Sequence, residues 1–477
     1  MRLLLLPIVL ALSACTLTPA LVKPDAPIPA SYPSMPAQAD QKSAAEIGWH
    51  AMFGDPRLQQ LIELALHNNR DLRLATLNVS AVQAQYRLQR ASQLPTIEAG
   101  VGAARERAFD AVTGAGARVQ ERSSAQLGLT AFEIDLWGRA RSMSDAAFAR
   151  YLASDEGRRA ARISLIASVS DAYIAERLAS EQADLAEQTL HSWTEQQELA
   201  QQLYRARQSS RLDLAQVRSQ VARARADTEA RGRELQRARN ALFLLVGADS
   251  ALPRLPDPLP LERQPVLTRL PAGLPSALLL YRPDIRQAEQ NLKAANADIG
   301  AARAAFLPRI SLTAAAGFAS PSMRGLFDSE HRTWSFAPQI TQPLFDGGRL
   351  RAELRLSELR KSSAVLEYER AIQGAFREVA DGLAGTATYA RQITAQEEVV
   401  GEETRRAELS EQRYRAGIEG RLELLDAQRQ LYAAKQQLLD LRREEIGNAI
   451  ALYKALGGGQ FRDGAGEQGA QALPGMP

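Results

Sequence analysis

Leu307-Pro308-Arg309-Ile310-Ser311-Leu312-Thr313-Ala314-Ala315-Ala316-Gly317-Phe318 stops a helix at its Leu-Pro pair and then alternates. Ile310, Leu312, Ala314, Ala316 and Phe318 fall on one side of an extended chain, and Arg309, Ser311, Thr313 and Gly317 on the other, the two-residue period of a strand with one apolar face. Leu94-Pro95 is followed in the same way: Ile97, Ala99, Val101 and Ala103 alternate with Thr96, Glu98, Gly100 and Gly102. Two further segments share the pattern, Leu127, Leu129 and Ala131 against Gln126, Gly128 and Thr130, and Trp334, Phe336 and Ile340 against Ser335, Gln339 and Thr341. The first of these changes phase at Phe132-Glu133-Ile134-Asp135, where the strand is expected to bend or to leave a membrane. Segments of about ten residues with this dyad period match outer-membrane strands. A soluble sandwich needs a second strand layer, and here only long helical stretches follow. Four strands are also too few to close a barrel, since single-chain barrels start at about eight, and an open edge is not tolerated in lipid. The expectation is a barrel shared between subunits, with outer loops near Arg105 to Arg122 and Ser320 to Arg332.

Working outward, the chain repeats itself. Arg70-Asp71-Leu72-Arg73 ahead of Leu94-Pro95 matches Arg282-Pro283-Asp284-Ile285-Arg286 ahead of Leu307-Pro308, at an offset of 213 residues (71 to 284, 95 to 308). Tyr204-Arg205-Ala206 and Leu212-Asp213-Leu214 match Tyr414-Arg415-Ala416 and Leu422-Glu423-Leu424, at an offset of 210 (204 to 414). Two ordered blocks at nearly one offset point to a duplication. Each half reads as a helix, two strands, and a very long helical stretch that breaks once and returns. The expected divisions are a first repeat at 46–247 with its β-hairpin near 96–136, a connector at 248–275, a second repeat at 276–456 with its hairpin near 309–345, and a flexible tail at 457–477.

From Arg139 to Ala206 there is no proline, and a continuous helix of that length reaches roughly 100 Å at about 1.5 Å per residue. It greatly exceeds a bilayer core and is rich in Arg, Glu, Gln and Ser, so it belongs in an aqueous compartment, the periplasm. In the returning helix Leu424, Ala427, Leu431, Ala434, Leu438 and Leu441 form a heptad seam, with Leu214, Val217, Val221, Ala224 and Thr228 as a weaker first-half version. Opposite the seam, Leu422, Asp426, Arg429, Ala433 and Gln436 make one mostly polar stripe beside the Arg415 to Gly420 break. From spacing alone this stripe reads as a solvated face. In a tube of several subunits it would line the bore, and Asp426 with Arg429 would form charged rings that open or close it.

The first residues give the compartment. Met1-Arg2 and the apolar run Leu3 to Leu12 have the proportions of an export signal, too short to span a bilayer. Leu12-Ser13-Ala14-Cys15 resembles a lipobox: residues 1–14 would be removed and Cys15, the one cysteine in the chain, acylated. Thr16, not Asp, follows, which points to the outer membrane. A proline-rich tether at 15–45 comes next. The net charge is only +3 over 477 residues, so no concentrated basic surface suggests nucleic acid. His50, His67, His191 and His331 are far apart, and no nucleophile with a plausible base emerges, so the chain does not read as an enzyme and needs no cofactor or metal. Leu456-Gly457-Gly458-Gly459 lacks the ending of a phosphate-binding loop and reads as a helix stop.

Several motifs, in order, resemble those of the TolC-like outer-membrane factor family, in particular its OprM- and NodT-like lipoprotein branch. They are Phe53-Gly54-Asp55-Pro56, Phe132-Glu133-Ile134-Asp135-Leu136-Trp137-Gly138-Arg139, Arg282-Pro283-Asp284-Ile285 and Gln342-Pro343-Leu344-Phe345-Asp346-Gly347-Gly348. Tyr414-Arg415-Ala416-Gly417, Leu424-Leu425-Asp426-Ala427-Gln428-Arg429 and Leu452-Tyr453-Lys454-Ala455-Leu456-Gly457-Gly458-Gly459 complete the set, which covers nearly the whole mature chain. The resemblance implies a mixed α and β membrane protein: a homotrimer whose subunits give four strands each to a twelve-stranded outer-membrane barrel, continuous with a periplasmic α-helical tube. It implies a passive exit duct for multidrug efflux, docked to a periplasmic adaptor (membrane fusion) protein and an inner-membrane transporter of the resistance-nodulation-division type. Leu422, Asp426 and Arg429 fall where this branch places its periplasmic constriction, while the first-half counterpart of Asp426 is Gln216 (216 to 426 at the same offset of 210). Gly138, Gly347 and Gly348 suit strand-to-helix turns. On Cys15 the branch implies N-palmitoyl and S-diacylglycerol groups.

Two other readings stand beside this one. The same channel could serve protein secretion or metal-ion efflux, though the chain has no methionine cluster for a soft metal. A periplasm-spanning lipoprotein scaffold without a pore is the alternative of another class, and the four amphipathic strands count against it.

Overall fold

The computed structural model describes residues 17–29, 31–32, 46–109, 117–247, 254–273 and 275–458. The export signal, Cys15 and the tail beyond 458 lie outside the described residues. Among those described, the principal helices are α1 (Pro56–Asn68), α2 (Arg70–Ala91), α3 (Arg139–Arg205), α4 (Arg211–Val246), α5 (Pro283–Ala304), α6 (Arg349–Arg415) and α7 (Arg421–Ala455). The strands are β1 (Ile97–Phe109), β2 (Ala117–Glu133), β3 (Arg309–Ser320) and β4 (Arg332–Thr341). Element order and lengths recur: α2 and α5 have 22 residues each, α3 and α6 have 67 each, and α4 and α7 have 36 and 35. No described helix is long and apolar enough to cross a membrane.

The chain divides into two compact units. One comprises 78–155 and 287–369 with the N-terminal residues up to 25, and holds a four-stranded antiparallel sheet in the order β1-β2-β3-β4. Cross-strand partners share a face, so the register sorts every side chain. The row Val101–Ala125–Phe318–Arg332 and its alternate neighbours put Ile97, Leu127, Leu129, Leu312, Ala314, Trp334, Phe336 and Ile340 on one face. Glu98, Gly100, Gln126, Gly128, Thr313, Gly317, Ser335 and Gln339 occupy the other. β1 and β4 are both edges. On the polar face Gly317 is required by sterics, because a Cβ there would lie 2.2 Å from the Ala125 carbonyl oxygen.

Two expectations about the strands change. The regions near 105–122 assigned to a loop are largely strand: β1 continues to Phe109 and β2 begins at Ala117, with Arg105 Nε 3.0 Å from Glu121 Oε1 across the ladder. Charged side chains there break the apolar alternation without breaking the backbone pairing. The phase change near Phe132 is a register shift between Leu129 and Phe132, with Ala131 at φ +49°, stabilised by its N–H donating to Thr313 Oγ1 at 3.1 Å.

Below the sheet, each strand-to-helix turn is tied by a carboxylate. Asp135 accepts from the Arg141 N–H at 2.9 Å, and Asp346 from the N–H groups of Gly348 and Leu350 at 3.0 and 2.8 Å. Gly138, Gly347 and Gly348 lie here at φ +72°, +65° and +91°, a region that favours glycine. Glu133 accepts two bonds from Arg139, at 2.8 and 2.7 Å, and Trp137 Nε1 donates to the Pro308 carbonyl at 2.8 Å. The described start of the expected tether is pinned: Asn296 Nδ2 donates to Pro19 O at 2.8 Å, and Lys23 pairs with Glu289 at 2.9 Å.

The second unit comprises 26–77, 156–286 and 370 onward, and carries the helical hairpins. The heptad reading of α7 corresponds to burial, with Leu424, Ala427 and Ala434 inside and Leu431, Leu438 and Leu441 half-buried. Leu214, Val217 and Val221 of α4 are buried likewise. At the other end of this unit Arg282, 7% exposed, donates to Glu378 Oε2 at 2.7 Å and to the Ala455 carbonyl at 2.9 Å.

Candidate functional site

The returning helices α4 and α7 start at the hairpin tips in different ways. Ser210 and Asp213 form a capping box, each side chain accepting from the other's backbone N–H at 3.0 Å, which fixes where α4 begins. α7 has no side-chain cap after Gly420; instead the buried Arg421 guanidinium sits 4.9 Å above the Tyr414 ring and its Nε donates to the phenol oxygen at 2.8 Å.

Just inside these tips a groove of about 390 Å³ separates α4 from α7. Gln216, Ser219 and Arg223 line one wall and Leu422, Asp426 and Arg429 the other. The three α7 residues expected at a constriction therefore share one face, and Gln216 faces the same groove as Asp426. Leu422 is 69% exposed. Asp426 is held from two sides: Arg406 Nη2 donates to its Oδ2 at 3.0 Å, and Arg429 to its Oδ1. The Arg406 guanidinium, with Arg429 beside it, holds the Asp426 carboxyl below the usual carboxylate range. Arg406 also donates to Glu423 Oε1 at 2.6 Å, and its two acids hold it more firmly protonated.

Arg406 and Glu423 escaped the sequence reading. The signal was present: folding the chain about the Arg415 to Gly420 break brings the last turns of α6 against the first turns of α7. Trp193 was also missed. It is 6% exposed and packs with Val221 and Leu425, so one side chain of α3 joins α4 to α7 directly behind the groove. Further along, Tyr432 donates to Asp227, and Arg231 bridges Gln182 and Gln436 at 2.7 and 2.6 Å. Burial, with the Asp227 carboxylate, pushes the Tyr432 phenol up, so it stays a donor.

The other expected sites are elsewhere. Gly138, Gly347 and Gly348 belong to the turns below the sheet, and Cys15 lies outside the described residues. Among the described residues no cluster of His, Cys, Asp or Glu is arranged to hold a metal ion.

The model of the outer membrane efflux protein family matches residues 61–248 and again 274–458. The solvent efflux pump outer membrane protein SrpC of Pseudomonas putida is 45% identical over 94% of this chain and 96% of its own. Outer membrane protein OprJ of Pseudomonas aeruginosa is 42% identical over 95% and 94%. Among solved structures, the open-state MtrE outer membrane channel of Neisseria gonorrhoeae superposes with a TM-score of 0.85 at 38% identity, covering 93% of this chain and 98% of that one. One family model matches both halves of the chain, and relatives above 40% identity cover nearly all of it: the chain belongs to the outer membrane efflux protein family, a transport family and not an enzyme family.

Proposed function

We propose that the protein is one third of a trimeric exit duct that passively conducts small molecules out of the cell, gated at its periplasmic hairpin tips. The sheet carries this reading. It has an apolar face and two unpaired edges, β1 and β4, and an open edge in lipid leaves backbone groups unsatisfied at several kcal/mol each. Three copies placing β4 of one against β1 of the next close a twelve-stranded barrel, four strands from each. The polar, glycine-rich face then lines the lumen. The matched lengths of the two helix sets and the paired family matches support an internal duplication.

In such a trimer the Leu422, Asp426 and Arg429 stripe repeats around the axis as rings at the narrow end, with Arg406 holding Asp426 in its closed position. Partners follow from the architecture: a duct with no energy source takes its cargo from a periplasmic adaptor protein and an inner-membrane transporter. Relatives named for solvent, toluene and antibiotic efflux support small, largely apolar cargo over secreted protein. Cys15 carries the diacylglyceryl and acyl groups that anchor the mature N-terminus.

The test is the mass and the conductance of the protein purified from outer membranes. A trimer with a small, gated conductance is expected, and intact-mass analysis should find acyl chains on Cys15. A monomer without conductance would instead make it a periplasmic scaffold.

A further inference from the structure

Two helices carry a leucine stripe that no described residue of the same chain covers. α2 has no buried residue. One of its faces meets α3 through Tyr86, whose ring lies 5.2 Å from that of Phe148. The opposite face runs Leu74, Leu77, Ala81, Ala84 and Leu88, spaced three, four, three, four, the heptad period of a helix that packs along a second helix. The first part of α6 is built in the same way. Ala364 and Tyr368 are buried on one side, with Lys23 over the Tyr368 ring. The other side runs Ala352, Leu356, Leu359, Ser363 and Leu366, spaced four, three, four, three. The six leucines of the two stripes are 46–74% exposed, and the alanines and Ser363 between them are exposed as well. Exposed leucines scattered singly need no explanation, but two periodic rows of them mark a surface that another molecule covers.

Chain connectivity says which molecule. α2 leads into β1, and α6 follows directly from β4, the two edge strands of the sheet. Where β4 of one copy lies beside β1 of the next, the helices joined to those strands start side by side, one entering the barrel and the other leaving it, and so run antiparallel. Leu88 stands three residues before the end of α2 at Ala91, and Ala352 three residues after the start of α6 at Arg349. From there Leu74 and Leu366 are each fourteen residues away (88 to 74, 352 to 366), about 21 Å along a helix. Antiparallel alignment from the shared ends sets Leu88 beside Ala352, Ala84 beside Leu356, Ala81 beside Leu359, Leu77 beside Ser363 and Leu74 beside Leu366. In four of these five rows a leucine meets a small side chain, the alternation that lets facing rows interdigitate. The apolar strip continues through the turns: Leu344 and Phe345 just before α6 are 94% and 93% exposed, and Leu94 just after α2 is exposed too.

We infer that the partner is a second copy of this chain: the Leu74–Leu88 stripe of α2 packs on the Ala352–Leu366 stripe of the next subunit's α6, so that a two-helix leucine seam joins the subunits beside the barrel. This rests on the edge pairing of β4 and β1 in the barrel reading above. Two stripes of equal length, period and opposite direction within one chain complement each other, which favours a second copy over a protein of another kind.

The experiment oxidises the full-length protein in outer membranes with copper phenanthroline and reads non-reducing denaturing gels, alongside planar-bilayer conductance. A84C/L356C and L88C/A352C place cysteines in facing rows and should give covalent trimers that dithiothreitol returns to monomers. Each single variant should stay monomeric, which also controls for Cys15, the one native cysteine. L88C/L366C sets its cysteines at opposite ends of the seam and should not link. Independently, L356Q/L359Q should lower the temperature at which the native trimer separates into subunits while leaving helix content by circular dichroism unchanged. A conducting trimer whose facing pairs do not link, link only within one chain, or link no better than L88C/L366C overturns the seam alone, as does an unchanged separation temperature for L356Q/L359Q. A wild-type protein that is monomeric and does not conduct overturns the barrel and the seam with it.

Discussion

Trp193→Ala tests whether the two hairpins are joined locally at the tip. A fully buried tryptophan removes about 150–250 Å² from water, worth about 4–6 kcal/mol at ~25 cal/mol per Å². Here the joint is flanked by cavities of about 230 and 330 Å³, so some of its surroundings are already open and can relax. The expected loss is therefore near 3 kcal/mol, the low end for removing a buried aromatic side chain. Because Val221 and Leu425 are its main buried neighbours, the loss should appear in α4 and α7 near the groove, more than in the distant Arg282 joint. About 3 kcal/mol shifts the balance between joined and splayed tips by more than about a hundredfold. Hydrogen exchange read on peptides covering 186–196, 217–225 and 425–432 should accelerate, resting conductance should rise, and Trp193→Phe should fall between. Unchanged exchange in those peptides, in a trimer that is otherwise folded, would refute the reasoning.

Three further outcomes follow from the same geometry. Asp426→Ala should raise the resting conductance in planar bilayers, and Arg406→Ala should do the same without adding to it in the double variant, since the two residues share one contact. Because Asp426 has its pKa lowered, its link to Arg406 is fully present above the ordinary carboxylate range and is lost only as pH falls through the lowered value. Resting conductance should accordingly stay flat from neutral pH into the ordinary carboxylate range and rise in stronger acid, and a rise already near neutral pH would count against the link. Arg282→Ala leaves the Ala455 carbonyl without its buried donor, while the half-exposed Asp284 and Glu378 carboxylates can turn to water, and should cost about 1–3 kcal/mol, seen as a lower thermal midpoint.

What the sequence made legible were features carried by period or by punctuation. The two-residue alternation fixed the strand faces, and the proline-free run from Arg139 became a single helix of 67 residues. Leu-Pro pairs stopped helices where strands begin. What escaped was set by pairing between distant segments. Arg105 and Glu121 read as loop residues because each is charged, yet their backbones pair across the hairpin. Arg406 lies on the opposite helix from the Asp426 it contacts, so nothing in the spacing of Leu422, Asp426 and Arg429 points to it. Trp193 stands in a polar stretch of α3 with nothing in its spacing to mark it, and only the assembled hairpins show it between α4 and α7. The described start of the tether was unreadable for the same reason, since Pro19 and Lys23 find their partners on α5, more than 200 residues away.

The groove also gives the proposed duplication a functional consequence. At the offset of 210, Leu212 corresponds to Leu422, Gln216 to Asp426, Ser219 to Arg429 and Arg223 to Ala433. The leucines at the tip remain alike and similarly exposed, at 67% and 69%. The charges differ, and among the described residues Asp426 is the one carboxylate lining this groove. Arg429 and Arg406 are both committed to it, whereas Gln216 has no comparable tie among the described residues. If the proposed gate is right, closure held by that carboxylate is one-sided, and the two walls should respond unequally to the same truncation. Gln216→Ala should leave resting conductance within about twofold of wild type, as expected for a partly exposed position away from any ion pair, while Asp426→Ala raises it. Equal opening by both variants would mean that the packing of the groove, and not its ion pairs, keeps the tip closed, and would move the gate from Asp426 to the leucine and tryptophan contacts around it.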